Sequence, residues 1–212
     1  MDDDQDFNDL VIQLLRQKRQ PAPSRDYVRF DEIEDVLTST DLLVDVLARF
    51  PTTPVYWKWA IIAAHSALQG AMVCALDDAT GIAVMDKDTV KAILKWQNEP
   101  NAKYPEEEKL AYFPTILERF QQLVQKEGRP ISEQPIRDIE KLHHEFRNKF
   151  IHYTPGSWLI EKAGLPRIIG AALDVVELAM NQGEVLVKLS GNRKRRLKRN
   201  LEAARSELSR VM

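Results

Sequence analysis

The segment from about Val55 to Leu76 constrains this chain most, because it is strongly apolar and carries Trp57, Ile61, Ala64, Leu68 and Met72 at helical spacing on one side. Apolar residues at three- and four-residue intervals mark a helix face, and a helix this apolar is stable only when other elements wrap it. The segment is therefore expected to be the central helix of a bundle. Its best apolar stretch, Ala60 to Leu76, includes His65, Ser66 and Gln69, which favours a buried core helix over a membrane span.

Other parts of the chain repeat the same period. With 44% apolar residues, only 8 glycines and no series of alternating strands, the sequence points to an all-α fold. Its 212 residues suit one domain with appendages, and a chain of that length buries roughly 70% of its unfolded surface. Cys74 is the single cysteine, so an internal disulfide and paired-cysteine zinc spacings are both ruled out. The N-terminus, Met1 to Asp9, is acidic, the wrong charge for a secretory signal, and a reducing cytoplasm is the expected setting.

Residues 1–25 read as an acidic arm with a short amphipathic piece at Leu10 to Leu15 and a Gln20-Pro21-Ala22-Pro23-Ser24 linker. Residues 26–182 read as the helical domain. Its first helix, over 26–50, reads as one amphipathic helix or as two halves parted near Thr38-Ser39-Thr40-Asp41, where Thr40 or Asp41 could cap the second half. After the central helix, Asp88 is expected to cap a short helix through Trp96. Pro114 sits in the first turn of a helix to Lys126, and Gly128-Arg129-Pro130 ends it. A further helix starts near Ser132 to Pro135 and stops at Pro155-Gly156, and a last core helix spans Leu165 to Asn181 with Gly183 as its stop.

Residues 183–212 form a basic terminal segment. From 191 onward eight Lys or Arg face only Glu202 and Glu207, while the net charge of the whole chain is −2, so the basic end is a local feature. Leu197, Leu201, Ala204, Leu208 and Val211 make a narrow seam suited to one partner helix. Arg193, Lys194, Arg195, Arg196, Lys198 and Arg199 are candidates to bind RNA phosphates, the plain alternative being a solvated helix face.

The helix before Pro155 carries the chemistry. Ile136, Ile139, Leu142, Phe146 and Phe150 fall within about 120° of one another at 100° per residue, a buried face. His144, Asn148 and His152 follow at i, i+4 and i+8 on the other side, and Arg147 lies between the two faces. A guanidinium makes planar bidentate contacts to phosphate oxygens. An imidazole with a pKa near ~6.5 can both take and give a proton around neutrality. The purely structural reading of Arg147 and His152 is an arginine on a carboxylate and a histidine on the last helical carbonyls. His143 is expected to pack near the apolar face, and His65 to be a satisfied buried histidine or, with Gln69, to face the Arg147 pocket. No i, i+4 histidine pair and no HExxH exist, so no metal and no cofactor are expected.

The Arg147, Asn148 and His152 spacing resembles the R-x(4–6)-H signature of the HEPN superfamily, a group of compact helical domains. The segment Phe150 to Trp158, with Leu165-Pro166, is also similar to uncharacterised bacterial HEPN-like proteins. The resemblance covers roughly residues 55–182 and implies an up-and-down bundle flanked by the N-terminal arm and the basic C-terminal helix. It further implies metal-independent RNA cleavage by a homodimer in stress or phage defence, the 2′-hydroxyl attacking phosphorus to leave a cyclic phosphate. Carried over by position, Arg147 stabilises the phosphorane, His152 acts as base or acid and Asn148 orients either, with His144, Tyr153 and His65 as supporting candidates. Arg147 and His152 are about 140° apart at 100° per residue, so a second motif helix across a dimer axis would complete the site. The alternative is a catalytically silent HEPN-like scaffold that binds RNA or a protein partner through its terminal helix.

Overall fold

The structure, a computed structural model, describes residues 27–28, 30–50, 53–77, 80–152 and 155–211. The acidic arm and Tyr153 lie outside them. Residues from Glu32 onward make one compact unit. Among the described residues the fold is all-helical, with one isolated antiparallel bridge, Met85 to Leu110, and no strand.

Helix α1 (Glu32–Leu47) packs along α2 (Trp57–Leu76), which follows a 3₁₀ turn at Pro54–Tyr56. Helix α2 is the centre. It also packs against α4 (Phe113–Lys126) and α6 (Leu165–Met180), and the eleven residues it buries include all five of its predicted face. Many of the eleven are alanines, whose small side chains let neighbouring helices approach. At Gly70 the approach is tighter still, since a Cβ would sit 3.0 Å from both Val36 Cγ2 and Asp35 Oδ2. By length and hydropathy (1.5 over Pro54–Leu76) this stretch qualifies as a membrane span, but 56% of that window is buried inside the bundle.

Helix α1 does not break. Thr38 Oγ1 donates to Glu34 O at 2.8 Å and Thr40 Oγ1 to Leu37 O at 2.9 Å, so both hydroxyls fold back on the helix. Ser39 and Thr40 are buried, and Asp41 serves as a ligand for basic groups instead of a cap. Helix α3 (Lys87–Asn98) is capped by Asp86, two residues before the expected Asp88, with its carboxylate accepting from Thr89 N at 2.7 Å. Hydrogen bonding from the Thr89 amide, and then from its side chain, holds the Asp86 carboxyl below the ordinary range.

Helix α4 ends in a Schellman motif, Arg129 N bonding Val124 O at 2.8 Å and Gly128 N bonding Gln125 O at 3.0 Å, with Gly128 at φ 74°. Helix α5 starts at Glu133, runs regularly to Lys141, passes through a wide π-helical turn at Leu142–Arg147 and closes with Asn148–Ile151. It leans on α6, where Arg167 pairs with the buried Asp138. Gly183 does not stop α6. That helix ends at Met180, and Gly183 opens the short α7 (Gly183–Lys188), preceded by Gln182, which is buried and accepts from Arg129 Nη2 at 2.9 Å.

Helix α8 (Gly191–Arg210) buries Leu197, Leu201, Ala204 and Leu208 against α1 and α6. Its seam is thus filled within the chain. Buried Asn200 gives its amide to Thr40 Oγ1 at 3.1 Å and to Asp41 Oδ1 at 2.6 Å. Arg196 reaches Asp41 Oδ2 through Nε at 2.8 Å and Glu34 Oε1 through Nη1 at 2.6 Å, and Arg193 lies 3.4 Å from Glu34. Part of the basic run therefore neutralises the acidic side of α1.

Candidate functional site

The predicted buried face of α5 is present: Ile139, Leu142 and Phe146 are buried, with Ile136 and Phe150 half-buried against the core. What the sequence does not announce is the wide turn. Six consecutive residues, Leu142–Arg147, adopt π-helical geometry, an uncommon arrangement that recurs at functional sites. It contains His143, His144 and Arg147, and it is the part of α5 that packs on α2.

His65 projects from the middle of α2 and is 2% exposed. Its Nε2 lies 2.9 Å from His143 Nδ1, so two imidazoles 78 positions apart in sequence share a hydrogen bond. Phe113, the first residue of α4, covers the pair, stacking on His143 at 4.4 Å and 13° and tilting over His65 at 4.5 Å. The exposed His144 turns an edge to His143 at 4.7 Å. Burial pushes the His65 pKa down to about 3 and that of His143 to about 4. Nearby charge adds to both shifts, and Arg147 contributes to each. Both rings are neutral at physiological pH.

Arg147 is half-buried. Its Nη1 donates to Asn148 Oδ1 at 3.0 Å, so the two motif residues are joined. Among the described residues no carboxylate pairs with Arg147; Glu145 on the same turn is engaged by Lys141 at 3.8 Å. The arginine-on-carboxylate reading of this residue therefore does not describe it. His152 has left the helix (φ −102°, ψ 58°), with its backbone N–H still bonded to Asn148 O at 2.8 Å and its side chain exposed.

A cleft of about 190 Å³ opens on another side of α5, lined by Lys141, Glu145, Phe146, Lys149, Trp158 and Leu165 among others, and contains none of Arg147, Asn148 or His152. Its lysines lie over ring faces, Lys149 at 5.2 Å from Trp158 and Lys141 at 5.8 Å from Phe146. On the Arg147 side no carboxylate among the described residues pairs with the cation, and its charge bears on both His65 and His143. Gln69, by contrast, lines a separate cleft with Glu32, Asp35 and Ser66. Among the described residues no three His, Cys, Asp or Glu side chains converge on one point.

The chain matches no protein-family model, no curated protein and no solved structure.

On α8 the six basic candidates divide. Arg193 and Arg196 turn towards α1, whereas Lys194, Arg195, Lys198 and Arg199 are exposed, at i and i+4 spacing along one face. Lys198 also lies 3.8 Å from Glu202 in a solvated pair that adds little.

Proposed function

We propose that this protein is a metal-independent endoribonuclease of HEPN type that works as a homodimer. The observation that carries the reading is the half-buried Arg147, which has a neutral amide and two neutral histidines nearby and, among the described residues, no carboxylate partner. A guanidinium partly withdrawn from water and left without an anion is a site for one, and a phosphodiester supplies the matching planar oxygens. Arg147 would take the charge that develops on phosphorus, a role worth about 10²–10³-fold when the donor is preorganised. Asn148 would hold the guanidinium by the contact already made. His152, exposed just past the end of the helix, would act on the phosphate from a second copy of the motif.

Incubation with single-stranded RNA in excess EDTA tests the reading. Cleavage by the wild type and its loss in an Arg147→Ala, His152→Ala double variant are expected, and equal cleavage by both would end the proposal.

A second reading, a silent scaffold that binds RNA, draws on Lys194, Arg195, Lys198 and Arg199. Four exposed cations on one face suit a phosphate backbone, and binding of single strands would weaken with salt by a log–log slope of about 0.7 per contact. Substituting all four by Ala should flatten that slope while leaving folding intact. An unchanged slope would remove the second reading.

A further inference from the structure

We infer that His65 and His143 form an acid–base unit behind the Arg147 site, in which His65 accepts the Nδ1–H of His143 and leaves the outward Nε2 of His143 as a lone pair able to take a proton from bound RNA. The inference rests on reading Arg147 as a phosphodiester site. It makes His143 a catalytic residue in addition to the motif, and His65 a positioning residue.

The geometry leaves His143 little freedom. Its face lies on Phe113 at 4.4 Å, its Nδ1 is 2.9 Å from His65, and the ring of His144 stands edge-on at 4.7 Å. Its Nε2 makes no hydrogen bond to any described residue. Two neutral tautomers satisfy the His65 contact. If His65 donates, His143 carries its own proton outward, and its only basic nitrogen is blocked. If His143 donates, the outward nitrogen can accept a proton, and His65 still accepts from the imidazolium that results. Only the second arrangement is a base. The groups that bear on His143 are His144 and Arg147 from its own helix, His65 from α2 and the uncharged Phe113 from α4.

In the reaction the ribose 2′-oxygen forms a bond to phosphorus as its proton passes to His143 Nε2. The bond from phosphorus to the 5′-oxygen breaks, and that oxygen takes a proton from water. The hydroxide left behind removes the proton from His143, restoring the base and leaving a 2′,3′-cyclic phosphate and a 5′-hydroxyl. His143 rests in the neutral form, so it enters the cycle as the base.

Two readouts on the full chain test this. In protein labelled with ¹⁵N-histidine, long-range ¹H–¹⁵N correlation at pH 7 should show His143 as the Nδ1–H tautomer, and His65→Leu should abolish that preference. In cleavage of single-stranded RNA, His143→Gln should lower kcat by at least the ~10² expected for a lost base. His65→Leu should lower kcat about tenfold with KM unchanged, and His65→Gln, which keeps an acceptor at the same reach, should recover most of it; these losses are set below the ~10²–10⁴ range of a base itself. An Nε2–H tautomer for His143, or wild-type kcat in His143→Gln, overturns the inference. A wild type that shows the Nδ1–H tautomer but leaves RNA intact would remove the nuclease reading and keep the pairing.

Discussion

Replacing His65 by Gln should remove most of the acid sensitivity of folding. In the unfolded chain an imidazole binds a proton below about 6.5, whereas in the fold burial among α2, α4 and α5 holds His65 near 3. Between those values the unfolded state binds more protons, so stability is full above pH 6.5 and falls as the pH falls towards 3. Each unit corresponds to about 1.4 kcal/mol, and integrating from pH 7.5 to 5.0 gives a loss of about 2 kcal/mol from this one group. His143 acts with the same sign but is half-exposed, so solvent screening makes its share smaller. Urea unfolding followed by tryptophan fluorescence, with Trp57 buried against Phe50 as an internal reporter, measures this directly at pH 7.5 and 5.0. The wild type should lose about 2 kcal/mol more than His65→Gln over that interval. Equal losses in the two proteins would refute the reasoning, because they would mean His65 takes up its proton in the folded state.

Two further substitutions probe the frame that holds the site. Gly128→Ala should cost about 1 kcal/mol in chemical unfolding, because φ of 74° is strained for a side chain although a Cβ would meet nothing within 4 Å; an unchanged midpoint would show that the backbone relaxes there. Arg196→Met should destabilise by about 1.5–3 kcal/mol, the usual worth of hydrogen bonds to charged groups, since it removes the cation bonded to both Asp41 and Glu34, which keep Asn200 and Arg193 as partners on α8. Adding Asp41→Leu to that variant should recover part of the loss if the pairing is as described.

Much of this molecule could be read along the chain wherever a local period decides the outcome. The central helix, α4, the buried face of α5 and the seam of α8 all follow from apolar spacing, because in each case the face that repels water is the face that packs. Signals that compete with tertiary structure misled. Thr38, Ser39 and Thr40 are poor helix formers, yet burial of Ser39 and Thr40 and the hydrogen bond from Asn200 keep α1 continuous. Gly183 resembles a stop, but Gln182 is buried, bound by Arg129, and starts a new helix instead. At the candidate site, Arg147, Asn148 and His152 could be named from their spacing. The contact between His65 and His143 could not, because it joins two helices through the wide turn of α5, and nothing in a single sequence marks that turn. His65 is the satisfied buried histidine that its place in an apolar helix suggests, while the identity of its partner is not legible in the sequence. That no carboxylate among the described residues pairs with Arg147 is likewise a property of packing, visible only once the helices are in place.

The central claim is that Arg147 stabilises a phosphorane without a metal, and mass analysis of RNA ends tests it most directly. RNA incubated with the protein in EDTA should yield 2′,3′-cyclic phosphate and 5′-hydroxyl ends, and Arg147→Ala should yield neither. Intact RNA with the wild type, or 3′-hydroxyl and 5′-phosphate ends, would contradict the account.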